Sequence, residues 1–209
     1  MNPAESLMVK VRELLPTVDG WCTPDKAQHL VDAILLRQPI TCIEIGVFGG
    51  SSLLPQAMAL EENKHGKIFG IDPWATDAAL EEMFSEENRQ WWGKLNLEEI
   101  YADCSQHVKR LGLSSYVELL RDKAENVVDR FKDNSVGLLH IDGNHSEALS
   151  YKDVTLYLPK VKPDGIIFFD DIWWNDGTPE ATTRRAIMYL LDRCTRLELV
   201  GDCMILRKN

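Results

Sequence analysis

Two short apolar runs in the second half of the chain each stop at a carboxylate. Residues 136–141 (VGLLHI) end at Asp142, and residues 165–169 (GIIFF) end at the adjacent pair Asp170 and Asp171. The stretch between them, from Ser146 to Leu158, has the length and composition of a helix. Strand, helix and strand in this order make a β-α-β unit, whose strands run parallel and are buried on both faces. Unpaired charge in such surroundings is costly, so acids at the strand ends are poor packing residues and good candidates for chemistry. His145 follows Asp142 by three residues and completes a group that reads as a metal-assisted reaction centre.

The same pattern extends through the chain. Residues 40–45 (ITCIEI) form a β-branched run that opens directly into Gly46-Val47-Phe48-Gly49-Gly50-Ser51-Ser52, and a helix follows to about Glu62. Strand, glycine-rich turn and helix let backbone N–H groups approach a polar or anionic ligand. A second strand, residues 67–71, ends in Asp72. That spacing beyond the glycine turn suits a carboxylate that grips ribose hydroxyls, and the pair indicates a nucleoside-containing cofactor. A third strand is expected over residues 116–120, ahead of Asp122 and a short helix, and residues 196–200 and 203–206 make a hairpin across Gly201-Asp202. Lys162-Pro163-Asp164-Gly165 is a turn by its chemistry. Thr178, with Pro179 after it, is expected to cap a helix running to about Arg193. The result is a parallel α/β sheet with an antiparallel hairpin at one edge, and in such sheets ligands bind beyond the carboxyl ends of the strands. Gly46, Asp72, Asp122, Asp142, Asp170 and Asp171 all fall there.

The ends of this frame are helical. Residues 1–38 read as two helices, the first stopping at Pro16 and the second capped by Thr23 with Pro24 at its first position. They are expected to pack on the main fold. Residues 73–96 carry Trp74, Met83, Phe84, Trp91 and Trp92 among many acids with no strand pattern, and read either as a lid over the site or as a surface helical insertion. With 209 residues the chain is expected to be one domain. A net charge of −10 argues against a nucleic-acid binder, no run is long enough for a membrane span, and the first residues lack a signal-peptide pattern. The odd set of five cysteines without a CxxC pair points to free thiols in a reducing, cytoplasmic setting.

The segments EIGVFGGS (44–51) and HIDGNHS…KDVTLYLPKVKPDGIIFFDD (140–171) resemble those of class I S-adenosylmethionine-dependent methyltransferases. Within that class the chain is similar to small bacterial metal-dependent O-methyltransferases of the macrocin type, and more distantly to catechol and caffeoyl-CoA O-methyltransferases. The likeness covers about residues 40–207. It implies a Rossmann-like, seven-stranded, mostly parallel sheet with helices on both faces, and it fits the terminal hairpin. By position it implies that Glu44, Gly46, Phe48, Gly50, Ser51 and Ser52 line the methionine end of the cofactor. Asp72 is implied for the ribose, and Asp122 and Ala124 for the adenine. Asp142, Asp170 and Asp171 match the ligands of a divalent metal, Mg²⁺ or Mn²⁺ given the all-oxygen set. His145 matches the place of a catalytic base, assisted by Asp142. Asp164 departs from the pattern, since many relatives carry glycine there.

Alternatives stand beside these roles. Asp142 by itself would read as a turn-capping acid, but three clustered carboxylates repel unless a cation joins them. His145 reads as a general base in preference to a surface histidine, and His140 as a hydrogen-bonded core residue. The expected activity is O-methylation of a small-molecule hydroxyl, such as a sugar or a catechol-like group, by a protein that can form a homo-oligomer. The alternatives are a nicotinamide-dependent oxidoreductase, which leaves the aspartate cluster without a task, and a non-catalytic cofactor-binding protein.

Overall fold

The structure, a computed structural model, describes residues 3–177 and 182–209. Helices α1 (Pro3–Leu14) and α2 (Pro24–Arg37) precede strand β1 (Thr41–Ile45). Helix α3 (Leu53–Asn63), β2 (Lys67–Ile71), the short helices α4 (Thr76–Ala79) and α5 (Glu86–Trp92), and α6 (Leu97–Arg110) follow. Then come β3 (Val117–Leu120), α7 (Ala124–Val127), β4 (Val136–Ile141), α8 (Glu147–Tyr157), β5 (Val161–Phe169), α9 (Arg184–Leu191), β6 (Cys194–Val200) and β7 (Cys203–Lys208). The seven strands form one sheet in the order β3-β2-β1-β4-β5-β7-β6. Pairing is parallel from β3 to β5, and β7 runs antiparallel to both β5 and β6.

Alternation along the strands sorts the core into two layers. Cys42, Ile68, Leu138, Ile166 and Phe168 pack under α1, α2, α3 and α6, while Ile43, Ile71, Leu139, Ile167 and Phe169 pack under α7, α8 and α9. Helix α2 is an integral part of the first layer. Ala27, Leu30, Val31 and Ile34 are fully buried along one stripe, and each large apolar side chain so buried contributes about 1.5–3 kcal/mol. Its start is the expected one: Thr23 accepts a hydrogen bond from the Lys26 N–H, with Pro24 in the first turn.

Register places the strand ends level. Ile45 pairs with Ile71 on one side and Ile141 on the other, Ile71 pairs with Leu120, and Ile141 pairs with Phe169. The residues that follow, Asp170, Asp142, Gly46, Asp72 and Arg121, therefore form one rim. The ladder continues into it: Gly46 N–H donates to Ile71 O, Asp142 N–H to Ile45 O, Asp170 N–H to Ile141 O and Asp72 N–H to Leu120 O.

Some expected boundaries are corrected. β5 begins at Val161, four residues before the expected Gly165, because the Lys162–Gly165 turn is absorbed as an irregularity in the pairing with β4, with Asp164 in the left-handed region at φ +60°. β3 begins one residue later than expected, at Val117, and the hairpin strands are longer at their outer ends. α1 stops at Leu14, and Pro16 sits in a 3₁₀ turn after it. The expected cap at Thr178 and Pro179 lies outside the described residues. All five cysteines are free thiols, and all but Cys22 are buried. Among the described residues no helix is long and apolar enough to cross a membrane.

Candidate active site

The rim opens on a cavity of about 650 Å³. Gly46, Phe48, Ser51, Ser52, Asp72 and Ala124 line one part of it, and Asp142, His145 and Asp171 line another. Gly46 permits the two parts to meet. Its φ is +83°, and a Cβ there would lie 2.0 Å from the carbonyl oxygen of Asp142, a distance no side chain survives. Asp72 holds the turn in place. One carboxylate oxygen accepts the N–H groups of Val47 and Phe48, both at 3.0 Å, and the other accepts the Trp74 N–H at 2.7 Å. Burial raises the Asp72 carboxyl above the ordinary carboxylate range, against the pull of those three bonds. A carboxylate offers about four acceptor sites, so one remains for a ligand hydroxyl. Asp122 is outside the cavity: it is exposed and accepts from the Lys123 N–H and the Asn126 amide. The rim position on β3 belongs to Arg121, one residue earlier, which explains the offset.

Beneath the rim lies a buried polar chain that strand alternation aims at the α2 side. Glu44 and His140 are cross-strand partners, and Asp142 and Asp170 continue the same phase. Glu44 is fully buried and does not line the cavity; its carboxylate accepts from Ser52 Oγ at 2.8 Å, from the Gln56 amide, and from His140 Nδ1 at 3.1 Å. His140 Nε2 lies 2.6 Å from Asp170 Oδ2, and Lys26 Nζ lies 2.7 Å from that same oxygen and 3.6 Å from Asp142 Oδ2. Although burial opposes it, the two carboxylates raise His140 to about 10, so it is a cation at neutral pH. Burial also works against charge on Asp170, yet His140 and Lys26 hold its carboxyl well below the usual range. Asp142 goes the opposite way, pushed up by burial and by the neighbouring Asp170.

His145 Nε2 lies 3.1 Å from Asp171 Oδ2, with the Trp174 ring 5.1 Å away. Burial pushes His145 below its ordinary value against the attraction of Asp171. Asp171 has φ +56°, a left-handed conformation that is uncommon outside glycine and clusters at functional sites. Phe48, which lines the same cavity, shares it at φ +50°, as does the buried Trp74 at φ +43°. Phe48 stacks on Trp21 with ring centres 5.1 Å apart, and Trp91 and Trp92 close the cluster.

These donors fit a divalent cation. Donor atoms of Asp142, His145 and Asp171 lie within 4.8 Å of one another, and carboxylate oxygens of Asp142 and Asp170 are equally close, while His140, with both ring nitrogens engaged by Glu44 and Asp170, offers no lone pair. Glu44, Asp142, Asp170 and Asp171 outnumber the cations Lys26 and His140 four to two. Asp170 Oδ1 is buried with no hydrogen-bond partner among the described residues, beyond the interaction of its carboxylate with the weakly donating Cys203 thiol.

The family profile described as a methyltransferase domain matches residues 43–172. The chain belongs to the methyltransferase domain family. Caffeoyl-CoA O-methyltransferase 1 of Nicotiana tabacum is 27% identical over 176 residues, covering 80% of this chain and 62% of the relative; the chain thus spans about three fifths of that protein's length. Among solved structures, the O-methyltransferase TomG from Streptomyces achromogenes, involved in tomaymycin synthesis and in complex with SAM, matches with a TM-score of 0.65 at 18% identity. That match covers 100% of this chain and 90% of the other. The O-methyltransferase from Bacillus cereus in complex with SAH matches with a TM-score of 0.66 at 15% identity, covering 98% and 91%.

Three parts of the site of this methyltransferase domain were not foreseen: Lys26, Trp21 and the Gln56 support of Glu44. Lys26 did leave a signal. It lies four residues before Leu30, in phase with the buried stripe of α2, and it puts a cation in a first helical turn, where the helix dipole disfavours one.

Proposed function

We propose that this chain is a SAM-dependent O-methyltransferase that acts, with a divalent metal, on a hydroxyl of a small molecule. The single observation that carries the reading is that the Gly46 turn with Asp72 and the Asp142–His145–Asp171 group open into one cavity. The nicotinamide alternative is not favoured, because it gives the aspartate group no task.

In methyl transfer the acceptor oxygen forms a bond to the sulfonium methyl as the carbon–sulfur bond breaks, and the electron pair stays on sulfur. The protein must bring oxygen and methyl to about 3–3.5 Å in line and remove the hydroxyl proton. Ser51, Ser52 and Asp72, backed by Glu44, suit the polar groups of the donor. His145 takes the proton; its depressed basicity keeps the imidazole neutral and available near pH 7. Asp171 orients that ring. Asp142, Asp170 and Asp171 would hold Mg²⁺ or Mn²⁺, which supplies a Lewis acid that lowers the pKa of the acceptor hydroxyl. We read residues 73–96 as a lid, because Ala75, Met83, Phe84 and Trp91 line the cavity together with the rim residues, and residues 1–38 as a cap whose Trp21 forms part of the wall.

The test is a methyl-transfer screen over sugar and catechol-like acceptors with Mg²⁺ present, alongside calorimetry with S-adenosylhomocysteine and NAD. Methyl transfer and S-adenosylhomocysteine binding are expected, and binding of NAD alone would overturn the reading.

A further inference from the structure

The N-terminal cap contributes a charge to the carboxylate group. Lys26 comes from the first turn of α2, 144 residues away in sequence from Asp170. Its side chain is 9% exposed, yet its ammonium reaches two of the three acids in the metal-ligand role, at 2.7 Å and 3.6 Å. Asp170 Oδ2 already accepts from His140. An oxygen shared by two cationic donors has little capacity left for a third positive charge.

We infer that Lys26 is a built-in competitor for the divalent ion: its ammonium occupies the space between Asp142 and Asp170, two of the acids that would hold the ion, so that metal loading requires the side chain to swing aside. This rests on the metal-assisted reading above. The parts allow the movement. The backbone of Lys26 is fixed, since its N–H donates to Thr23 Oγ1 at 3.1 Å, but its stem has four flexible carbons and borders the cavity. His140 differs. It is locked between Glu44 and Asp170 in the sheet interior, so it cannot swing aside as Lys26 can.

A cation held in this way also offsets the repulsion between Asp142 and Asp170 in the free protein. Without it, Asp142 and Asp170 would face each other across a largely buried gap with only His140 between them, and like charges in such a place disfavour each other strongly. Ligand competition then explains why a lysine that opposes the helix dipole is placed here.

The experiment measures Mn²⁺ affinity by calorimetry and by electron paramagnetic resonance for the wild type, Lys26→Gln and Lys26→Arg. Affinity for S-adenosylhomocysteine is measured in parallel as the check that each protein is folded. Lys26→Gln is expected to bind Mn²⁺ at least tenfold more tightly than the wild type, and Lys26→Arg no more tightly than the wild type. A second measurement uses the unaltered protein: acetylation of the Lys26 amine, followed by mass spectrometry, should accelerate severalfold when Mg²⁺ is added. Equal Mn²⁺ affinity in the wild type and Lys26→Gln, or a Lys26 labelling rate unmoved or slowed by Mg²⁺, would overturn the competition and leave the metal-assisted reading standing. Absence of Mn²⁺ binding in all three proteins would overturn both.

Discussion

Asp153 of α8 is a buried acid whose charge the fold does not welcome. It is 8% exposed and lines the cavity, with Oδ2 3.2 Å from where a side chain at Gly143 would begin. Burial is the main cause, and the nearby Glu125 adds to it; together, against the partial relief from Lys152, they push its carboxyl from 3.8 up to about 7. That difference corresponds to about 4 kcal/mol between the charged and neutral forms. The folded state therefore holds the Asp153 proton more tightly than the unfolded chain does. Stability is unaffected below the unfolded value, falls as pH rises from about 4 to about 7, and stays low above that. Asp153→Asn keeps the shape and removes the charge. It should add up to about 4 kcal/mol at pH 8 and almost nothing near pH 4. For a chain of this length that is a rise in Tm on the order of 8–16 °C at pH 8. Thermal melts of both proteins at the two pH values give the difference directly. The reasoning is refuted if the gap between variant and wild type is the same at pH 4 and pH 8, or if the variant is the less stable at pH 8.

Other consequences are as direct. His145→Gln should lower kcat by about 10²–10⁴ while S-adenosylhomocysteine affinity is retained. In the wild type the rate should hold between pH 7 and 8 and decline only below the ordinary histidine range, because burial lowers the pKa of His145; a decline beginning above pH 7 would remove the base assignment. Gly46→Ala puts a methyl group 2.0 Å from the Asp142 carbonyl oxygen and should abolish S-adenosylhomocysteine binding or folding, which calorimetry and a melt will separate. Exhaustive chelation should stop turnover and added Mg²⁺ should restore it; turnover untouched by chelation would remove the metal from the mechanism. Leu30→Ala on α2, at a fully buried position, should cost about 2–5 kcal/mol in urea unfolding.

The strands and their acidic ends were legible in the chain because the signals are local. β-branched runs, a glycine turn and carboxylates at fixed offsets needed no knowledge of distant residues, and β2 and β4 fell where periodicity put them. The carboxylates of Asp142 and Asp171 and the imidazole of His145 were likewise readable as one group. What the sequence could not decide was which partner each charge would find. Asp122 matched a motif position, yet the register of β3 gives the rim to Arg121 and leaves Asp122 in solvent. Glu44 followed the glycine-turn pattern, but cross-strand pairing commits it to His140. Lys26 reaches Asp170 only because α2 folds back over the sheet, the two being 144 positions apart in the chain. Local chemistry selected the residues that could carry a reaction; register and helix packing, which act over long separations, chose their partners and so set the charge each one carries.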